Sequence, residues 1–535
     1  MKTRLVKPKI TFWNKEKDGE NLIRSLESVV TVKHLSRPAG TAVLQMAPHN
    51  GWVGNTSRAG IRDYWRNQFS PMDMMSVSFN DDDPAFVGFV DSPKLKHSYT
   101  GEKPRRNNQV VLSDLGKLFT KDNLLFLPYL QTWLGKGGPI GQSAEIIKKV
   151  TDGKHPLLKP INRRGPFGKV SFNFRSVGEA AQFVLENWSS QRIQTRYSSP
   201  SLDTINGLYQ TDISYRGQQG SNDPWVDALT DAAGLNTYTG NFWNLLTTIA
   251  DNQLFYEVFT TVRQGIPTVV MRPTPFDRIG DKIGDDAIIG GSGNSLLNIK
   301  DNDPFTWDKL PRTEIAEEDV INVDLQRSDE EAYSIYSIGN IYDLEANVLF
   351  SRADLTFAYI DPYALFRYGA RTFMPSSQLL RLAKTQKELE NLRALSESGQ
   401  AKKTADYKRQ YKDILKHGII EKSAEFPNIY QRLIAFRDRS FNWYHYNPVM
   451  ESGTITTYLL QGDKRVNIGE RIWCPWMQAA DGSQGLEFYV TGVVNHWIFG
   501  DTPAITTLVI QRGINDSMRN TYDQRRKSYM NQVQS

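Results

Sequence analysis

Cysteine is almost absent from this chain of 535 residues, in which Cys474 is the only thiol. A single cysteine excludes an intramolecular disulfide, and it excludes zinc or iron–sulfur sites that need several cysteine ligands. A large excess of one charge is missing as well, because 64 Lys and Arg residues face 59 Asp and Glu residues and leave a net charge of +5. The basic stretches 105–106 and 525–527 lack the interleaved aromatic residues of a single-strand groove. We therefore expect no specific nucleic-acid binding.

Long hydrophobic runs are missing too. The most apolar stretch, residues 124–134, contains a proline and falls short of the roughly 20 residues that a membrane-spanning helix requires. Residues 1–17 carry charges at short intervals, where a secretory signal would have an apolar segment of about 7–15 residues. We therefore expect no membrane partner, and we expect synthesis in the cytoplasm.

Motifs that carry catalysis are absent from the sequence. Its 7 histidines are scattered, and none belongs to the His-Glu-x-x-His pattern of a metallopeptidase. Neither a Gly-x-Ser-x-Gly nucleophile turn nor a P-loop occurs, and the glycines of 290–293 lack the strand-to-helix setting that binds phosphate. The sequence therefore predicts no catalytic residue, no cofactor and no metal ligand, and the chain is not expected to be an enzyme.

Cys474 and His445 are the single side chains closest to catalytic candidates. Cys474 follows Trp473 in an apolar strand, where nothing indicates the cation or helix N-terminus that lowers the pKa of a reactive thiol. His445 lies between Tyr444 and Tyr446, and a histidine among aromatic residues is usually packed and hydrogen-bonded. We expect both to be buried structural residues.

Aromatic residues, by contrast, are abundant at 11%, and hydrophobic residues make up 39% of the chain, which indicates a folded protein. Apolar and polar residues alternate between 41 and 91 and again between 451 and 513, which predicts antiparallel strands. Between them, 241–276 predicts a helix followed by two strands joined at Arg263–Gly265. The predicted fold class is mixed and mainly β, with two tube-like antiparallel β-barrel domains and intervening α/β and helical segments.

Changes of pattern along the chain predict its domain organisation. The regions are an N-terminal tube-like β-barrel (1–115), an irregular insertion with a short helix (116–240), a middle domain of a helix and a β-hairpin (241–300), a second tube-like β-barrel (301–345 and 441–513), a helical insertion (346–440) and a basic tail (514–535). A helical hairpin is expected at 376–417 within the helical insertion. The tail is expected to fray or to lie on a neighbouring subunit.

Short landmarks follow one another in a characteristic order. They are FWNLL at 242–246, LFYEVF at 254–259, VVMRPTPF at 269–276, RSD at 327–329, YGAR at 368–371, ESGTI at 451–455, NIGE at 467–470 and FYVTGV at 488–493. In this order they resemble the central baseplate hub protein of tailed bacteriophages, a family related to the hub part of type VI secretion spike proteins. The signature positions that the resemblance carries over are structural: Trp243, Glu257, Arg272, Pro275, Phe276, Tyr368, Gly369, Arg371, Trp443, Gly469 and Gly492.

The resemblance implies a homotrimer in which two β-barrels per chain close a ring of six around a central channel. Such a ring adapts the sixfold tail tube to the threefold central spike, and it needs no catalytic residue. The implied partners are two further copies of the chain, the tail tube or distal tail protein and the central spike protein, with the tape measure protein and baseplate wedge proteins as further candidates. The implied location is the virion, in the tail baseplate, and the genome would pass through the channel if it is open. A hub without a receptor-binding or lytic extension favours a contractile tail over a long flexible one, and both stay open.

Two other functions stay open at this point. A tail-associated cell-wall hydrolase would need a further domain with a recognisable site. A hub of a tailocin or of a secretion injection device would have the same fold, and its gene would lie among different neighbours.

Overall fold

The structure is a computed structural model that describes 6–13, 18–21, 26–46, 69–80, 83–98, 105–121, 123–124, 210–213, 240–250, 255–279, 282–283, 297–298, 305–337, 359–375, 437–479, 481–500 and 503–534. The predicted helical hairpin at 376–417, the glycine-rich loop at 290–293 and nearly all of the predicted insertion 116–240 lie outside these residues.

Strands dominate the described residues. In chain order they are β1 (Pro8–Trp13), β2 (Asp18–Asn21), β3 (Leu26–His34), β4 (Thr41–Met46), β5 (Met74–Phe79), β6 (Phe86–Ser98), β7 (Arg105–Asp114), β8 (Asn123–Leu124), β9 (Gln210–Ile213), β10 (Gly240–Asn241), β11 (Tyr256–Arg263), β12 (Ile266–Pro273), β13 (Lys282–Ile283), β14 (Leu297–Asn298), β15 (Arg312–Glu314), β16 (Val320–Gln326), β17 (Ile335–Tyr336), β18 (Tyr359–Ile360), β19 (Thr372–Phe373), β20 (Glu451–Tyr458), β21 (Arg471–Gln478), β22 (Gln484–Ile498) and β23 (Ile505–Ile514). The helices are α1 (Gly116–Lys121), α2 (Phe242–Ile249), α3 (Pro362–Tyr368) and α4 (Asp516–Gln534), and 437–444 is also helical.

One sheet of 13 strands runs through the chain in the order β16–β20–β23–β22–β3–β4–β7–β6–β5–β1–β2, with β21 beside β22 and β15 beside β21. Every pairing in this sheet is antiparallel apart from that between β15 and β21. The prediction of a mainly β, antiparallel fold is therefore confirmed.

The sheet consists of two halves with the same topology. The N-terminal half contains the path β5–β6–β7–β4–β3, and the C-terminal half contains the path β21–β22–β23–β20–β16. The strands also follow one another along the chain in the same relative order in both halves. Each half therefore repeats one structural unit, although the two stretches of sequence show no evident identity.

Local irregularities repeat as well. Met72 and Gly469 have φ values of +79° and +81°, and their amides donate to the carbonyl oxygens of Val90 and Val490. Directly after these valines a bulge shifts the register, between Val90 and Ser92 in β6 and between Val490 and Gly492 in β22. Bulges are specific backbone features, so their recurrence at matching positions fixes the correspondence between the halves.

Each half has its own hydrophobic core. In the N-terminal core Leu44, Val90 and Leu112 are fully buried. The C-terminal core buries the matching positions. These are Ile455, Val490 and Ile510. Alternate residues of β3 and β4 are buried, as period-2 patterning requires of a sheet with one face against a core.

The two halves are joined edge to edge within the chain. The second part of β22 pairs with β3 from Gly492 opposite His34 to Ile498 opposite Ser28. Gly492 is required for space here, because a Cβ atom on it would lie 2.8 Å from the His34 ring and 3.0 Å from Val509. This junction is the reason why both cores share one continuous sheet.

The middle of the chain supplies a helix and a hairpin, as the pattern predicts. The Asn241 side chain caps α2 by accepting from the amide of Asn244 at 2.7 Å, and the helix buries Leu245, Leu246 and Ile249. The tight turn between β11 and β12 uses Gln264 and Gly265, whose φ values are both positive, as in a type I′ hairpin turn.

The segment after 514 corrects one prediction. Instead of fraying, it forms α4, and Met518, Tyr522, Arg526 and Met530 are buried at intervals of one helical turn. Arg526 pairs with the buried Asp361 at 3.3 Å, which holds α4 on its own chain. Sequence composition suggested a tail because the outer face of this helix is polar and basic.

Candidate assembly site

The first candidate feature is the edge of β6 beyond the bulge, residues 92–98, which we call the β6 edge. On one side these residues pair with β7 as far as Ser98 opposite Arg105. On the other side β5 pairs only with 86–89. Within the described residues no strand continues beyond β5 on that side, and Lys94 is exposed.

The matching stretch of β22 is paired. β21 pairs with β22 only as far as Tyr489, and from Gly492 onward β3 pairs with the same edge of β22. The amide of Leu35 donates to Thr491 at 2.7 Å, and the amide of Phe499 donates to Glu27 at 2.8 Å. The edge that is paired in the C-terminal half thus has no partner strand among the described residues of the N-terminal half.

The second candidate feature is the outer edge of β16, residues 320–326, which we call the β16 edge. β16 pairs with β20 on one side, and among the described residues it has no strand on the other. Its counterpart β3 is paired on both sides, with β4 and with β22. The Ile321 side chain on this strand is 47% exposed.

Three signature positions predicted from the sequence meet beneath the sheet. Arg272 donates to Glu257 at 2.6 Å and to the carbonyl oxygen of Gly469 at 2.6 Å. The Tyr489 hydroxyl donates to the Glu257 carboxylate at 2.7 Å. Burial and the Glu257 charge raise the pKa of Tyr489 well above its ordinary value, so this hydroxyl remains a donor. The cluster ties the middle hairpin to β22 beside the junction.

Gly469 is fitted closely into this cluster. With a φ of +81°, it lies where a Cβ atom would be 2.6 Å from Phe259 and 2.8 Å from Arg272. Met72, at the matching position of the N-terminal half, carries a side chain at nearly the same φ. Crowding by the hairpin, more than backbone strain, therefore requires glycine at 469.

A second group of signature positions packs around a buried carboxylate. Trp443 donates from its indole nitrogen to Asp277 at 2.7 Å, and Arg439 lies 3.2 Å from the same carboxylate. Phe276 packs edge-on against Trp443 and Tyr489, with ring centroids 5.7 and 5.2 Å apart. Burying an ion pair is unfavourable unless its groups are hydrogen-bonded, and here the indole helps to meet that need.

The remaining signature positions lie apart from these clusters. Arg371 pairs with Asp329 at 2.8 Å, and Gly369 ends α3 with a φ of +81°. Tyr368 is the last residue of α3, Trp243 is buried in α2, and Pro275 is buried directly after β12. Arg272 and Arg371 thus both anchor carboxylates within the chain.

Candidate catalytic groups are held in unreactive states. Cys474 is buried, and burial raises the pKa of its thiol to about 12. His445 is fully enclosed, its Nδ1 lies 2.9 Å from the Phe441 carbonyl oxygen, and burial lowers its pKa well below the ordinary value. Among the described residues no cluster of His, Cys, Asp and Glu side chains could hold a metal ion. None of the helices in this part of the chain is long and apolar enough to cross a bilayer.

A cleft with a volume of about 830 Å³ lies beside the end of β3, the start of β20 and the middle of β22. Its lining includes Glu330 and Glu331 and the rings of Tyr333, Phe373 and Tyr444. Burial is the main cause that raises the pKa of Tyr333 and Tyr444, so both hydroxyls stay protonated at neutral pH. This arrangement offers a surface for contact and activates no nucleophile.

Comparison with known proteins gives structural neighbours only, because no family model and no curated protein matches the chain. The chain is similar to a tail protein from Neisseria meningitidis, with 12% identity, a TM-score of 0.41, and coverage of 95% of this chain and 96% of that one. It is also similar to the 43 kDa tail protein of prophage MuSo2 from Shewanella oneidensis, with 10% identity, a TM-score of 0.39, and coverage of 94% and 96%.

A further neighbour is an Escherichia coli component of the type VI secretion system, with 8% identity, a TM-score of 0.34, and coverage of 92% of this chain and 74% of that one. Tail proteins and secretion components are the classes that the sequence landmarks resemble.

Proposed function

We propose that this protein is a structural hub of a phage tail baseplate, a homotrimer whose chains close a ring around a central channel. Each chain contributes two equivalent units, so three chains present six units to a sixfold tail tube and keep threefold symmetry toward a central spike. The protein acts through its surfaces and catalyses no reaction.

The observation that carries this proposal is the repeated topology: one junction is used within the chain, and among the described residues the β6 edge and the β16 edge have no partner strand. Within the chain, β22 of one unit pairs with β3 of the other. The β6 edge corresponds to the used edge of β22, and the β16 edge corresponds to the used edge of β3. Pairing the β6 edge of one chain with the β16 edge of the next repeats the internal junction between chains.

Such a contact is heterologous, because each chain offers one edge and accepts the other. Heterologous contacts either continue as an open filament or close as a ring when the rotation per subunit permits it. If the junctions within and between chains are equivalent, the rotation per unit is constant and the ring closes with an even number of units. The resemblance described above supports six units, which requires three chains.

A ring of this kind pairs strand edges that would otherwise expose unpaired backbone groups. An exposed edge strand leaves a row of unpaired amide and carbonyl groups and invites uncontrolled pairing. Closure removes both open edges from every chain. The location that follows is the virion, in the tail baseplate, with the tail tube or distal tail protein on one face of the ring and the spike on the other.

The mass of the purified chain in solution tests this proposal. Native mass spectrometry is expected to give a particle three times the 60.9 kDa mass of one chain. A chain that stays monomeric at high concentration and low salt would contradict it, and an open series of growing oligomers would contradict ring closure.

A further inference from the structure

The β6 edge and the β16 edge carry opposite charges, in each case on the face of the sheet turned away from the core. Lys94 lies on the β6 edge opposite Gln109 of β7, on the face turned away from the N-terminal core. Asp324 and Gln326 lie on the β16 edge and are exposed, while the intervening Leu325 packs against the C-terminal core. The sequence adds Lys96 two positions beyond Lys94.

The junction within the chain supplies a register for these edges. There Val494 lies opposite Val32, and Trp497 lies opposite Val29. Val90 corresponds to Val490, so Lys94 corresponds to Val494. Leu26 and Val320 are the residues at which β3 and β16 shift register, so Val32 corresponds to Gln326. Carried over, the internal register sets Lys94 opposite Gln326, Leu95 opposite Leu325 and Lys96 opposite Asp324.

We propose that Lys94 and Lys96 of one chain and Asp324 of the next form an electrostatic code that fixes both the partner edge and the register of the ring. This inference rests on the proposed ring and adds what selects its geometry. In this register Lys94 is also the diagonal neighbour of Asp324, a distance within reach of a long side chain.

The code also disfavours wrong assemblies. Two β6 edges would bring lysines together, and two β16 edges would bring Asp324 against its copy, so both symmetric dimers contain like charges across the ladder. A slip of one residue would set the lysines opposite the core-facing residues of β16 and reverse every side chain of the strand. Only the head-to-tail contact in the internal register pairs opposite charges and keeps apolar residues on the core side.

Cysteine crosslinking tests the register. In the junction within the chain the pairs Thr491–Leu35 and Phe499–Glu27 are hydrogen-bonded. Alternation makes Val494–Val32 a non-hydrogen-bonded pair, and the same holds for Lys94–Gln326. Non-hydrogen-bonded pairs have the short Cα distance that suits a disulfide. The variant Lys94→Cys/Gln326→Cys is therefore expected to give a covalent trimer on non-reducing gels.

Matched variants control this experiment. Val494→Cys/Val32→Cys is expected to close the equivalent disulfide inside a single chain. Lys94→Cys/Leu325→Cys puts the two thiols on opposite faces of the sheet and is expected to stay uncrosslinked. A native trimer whose Lys94→Cys/Gln326→Cys variant does not crosslink overturns the register and leaves the proposed function standing. A chain that never forms a trimer overturns the proposed function itself.

Charge reversal tests the code. Asp324→Lys is expected to weaken trimer formation roughly tenfold per interface at low salt, because an attraction becomes a repulsion. Lys94→Asp/Lys96→Asp in the same chain is expected to restore it. Asp481→Lys serves as the control, because this exposed carboxylate lies in the turn between β21 and β22, at the opposite end of the C-terminal strand order from β16. Equal effects of Asp324→Lys and Asp481→Lys, or no rescue by the reversed lysines, would overturn the code.

Discussion

Replacing Gly469 by alanine tests how closely the middle hairpin fits against β22. The added Cβ atom would lie 2.6 Å from Phe259 and 2.8 Å from Arg272. Relieving this overlap must move Arg272, whose guanidinium binds both Glu257 and the Gly469 carbonyl oxygen. Backbone strain contributes about 1–2 kcal/mol for a non-glycine residue at this φ, and overpacking of a buried site contributes about 1–3 kcal/mol more.

Gly369 offers a matched control. It has the same φ of +81°, but no heavy atom lies within 4 Å of the position that its Cβ atom would take. Gly369→Ala is therefore expected to show backbone strain without crowding, about 1–3 kcal/mol for its φ of +81° and ψ of −176°, a region that is essentially restricted to glycine. Gly469→Ala is expected to lose about 2–5 kcal/mol of unfolding free energy.

Urea unfolding followed by tryptophan fluorescence measures both variants, and the slope of each transition reports whether the denatured state has changed. If Gly469→Ala and Gly369→Ala lose the same free energy, the crowding inferred at Gly469 is wrong. If Gly469→Ala unfolds as the wild type does, the contact between the hairpin and β22 is itself in doubt.

Three further predictions concern the buried charges and the thiol. Arg272→Met is expected to lose about 3–5 kcal/mol of unfolding free energy because it leaves the Glu257 charge buried alone. Arg272→Met/Glu257→Gln is expected to lose less, since that charge is also removed. Urea unfolding would contradict this if the double variant were less stable than the single one. Burial lowers the pKa of Lys33 from 10.5 to about 8, so the folded state binds the proton less tightly than the unfolded state. The unfolding free energy of the wild type, relative to Lys33→Met, is expected to rise by about 3 kcal/mol as the pH goes from 8 to 10.5, and a flat difference between these pH values would refute it. Cys474 is expected to resist a thiol reagent at pH 8 until the chain is unfolded in urea, and fast labelling of the native protein would show that the thiol is accessible.

Patterns that depend on neighbouring residues were the ones that could be predicted from the sequence. The helix capped by Asn241 and the hairpin turning at Gln264–Gly265 both have strong local signals, and both are present. Antiparallel strands were also expected between 451 and 513, and β20, β21, β22 and β23 lie there.

Features that depend on distant contacts could not be predicted from the sequence. Nothing local in residues 516–534 shows that Arg526 meets Asp361, so a packed helix looked like a tail. Two β-barrel units were predicted, but their residue-by-residue correspondence was not, since Met72 and Gly469 share a φ near +80° and have no similarity of side chain. Register and bulges are conformational properties, and they revealed the open edges.

The signature positions could be named from the sequence, but their contacts could be seen only in the structure. The resemblance singled out Glu257, Arg272 and Gly469 as separate positions, and the structure brings them into one hydrogen-bonded cluster. Their partner Tyr489 was not among the predicted positions, although it belongs to the FYVTGV landmark. A tyrosine in an apolar strand gave no sign that its hydroxyl would meet a buried carboxylate.

The central claim is that one chain carries two equivalent units that meet their neighbours through the same kind of strand junction. End-on electron microscopy of the purified assembly tests it most directly, since image averages resolve the number of units around a channel. The account predicts six similar sheet-walled units arranged with threefold symmetry. A ring in which the units of one chain differ in their contacts to neighbours, or a particle without a channel, would contradict it.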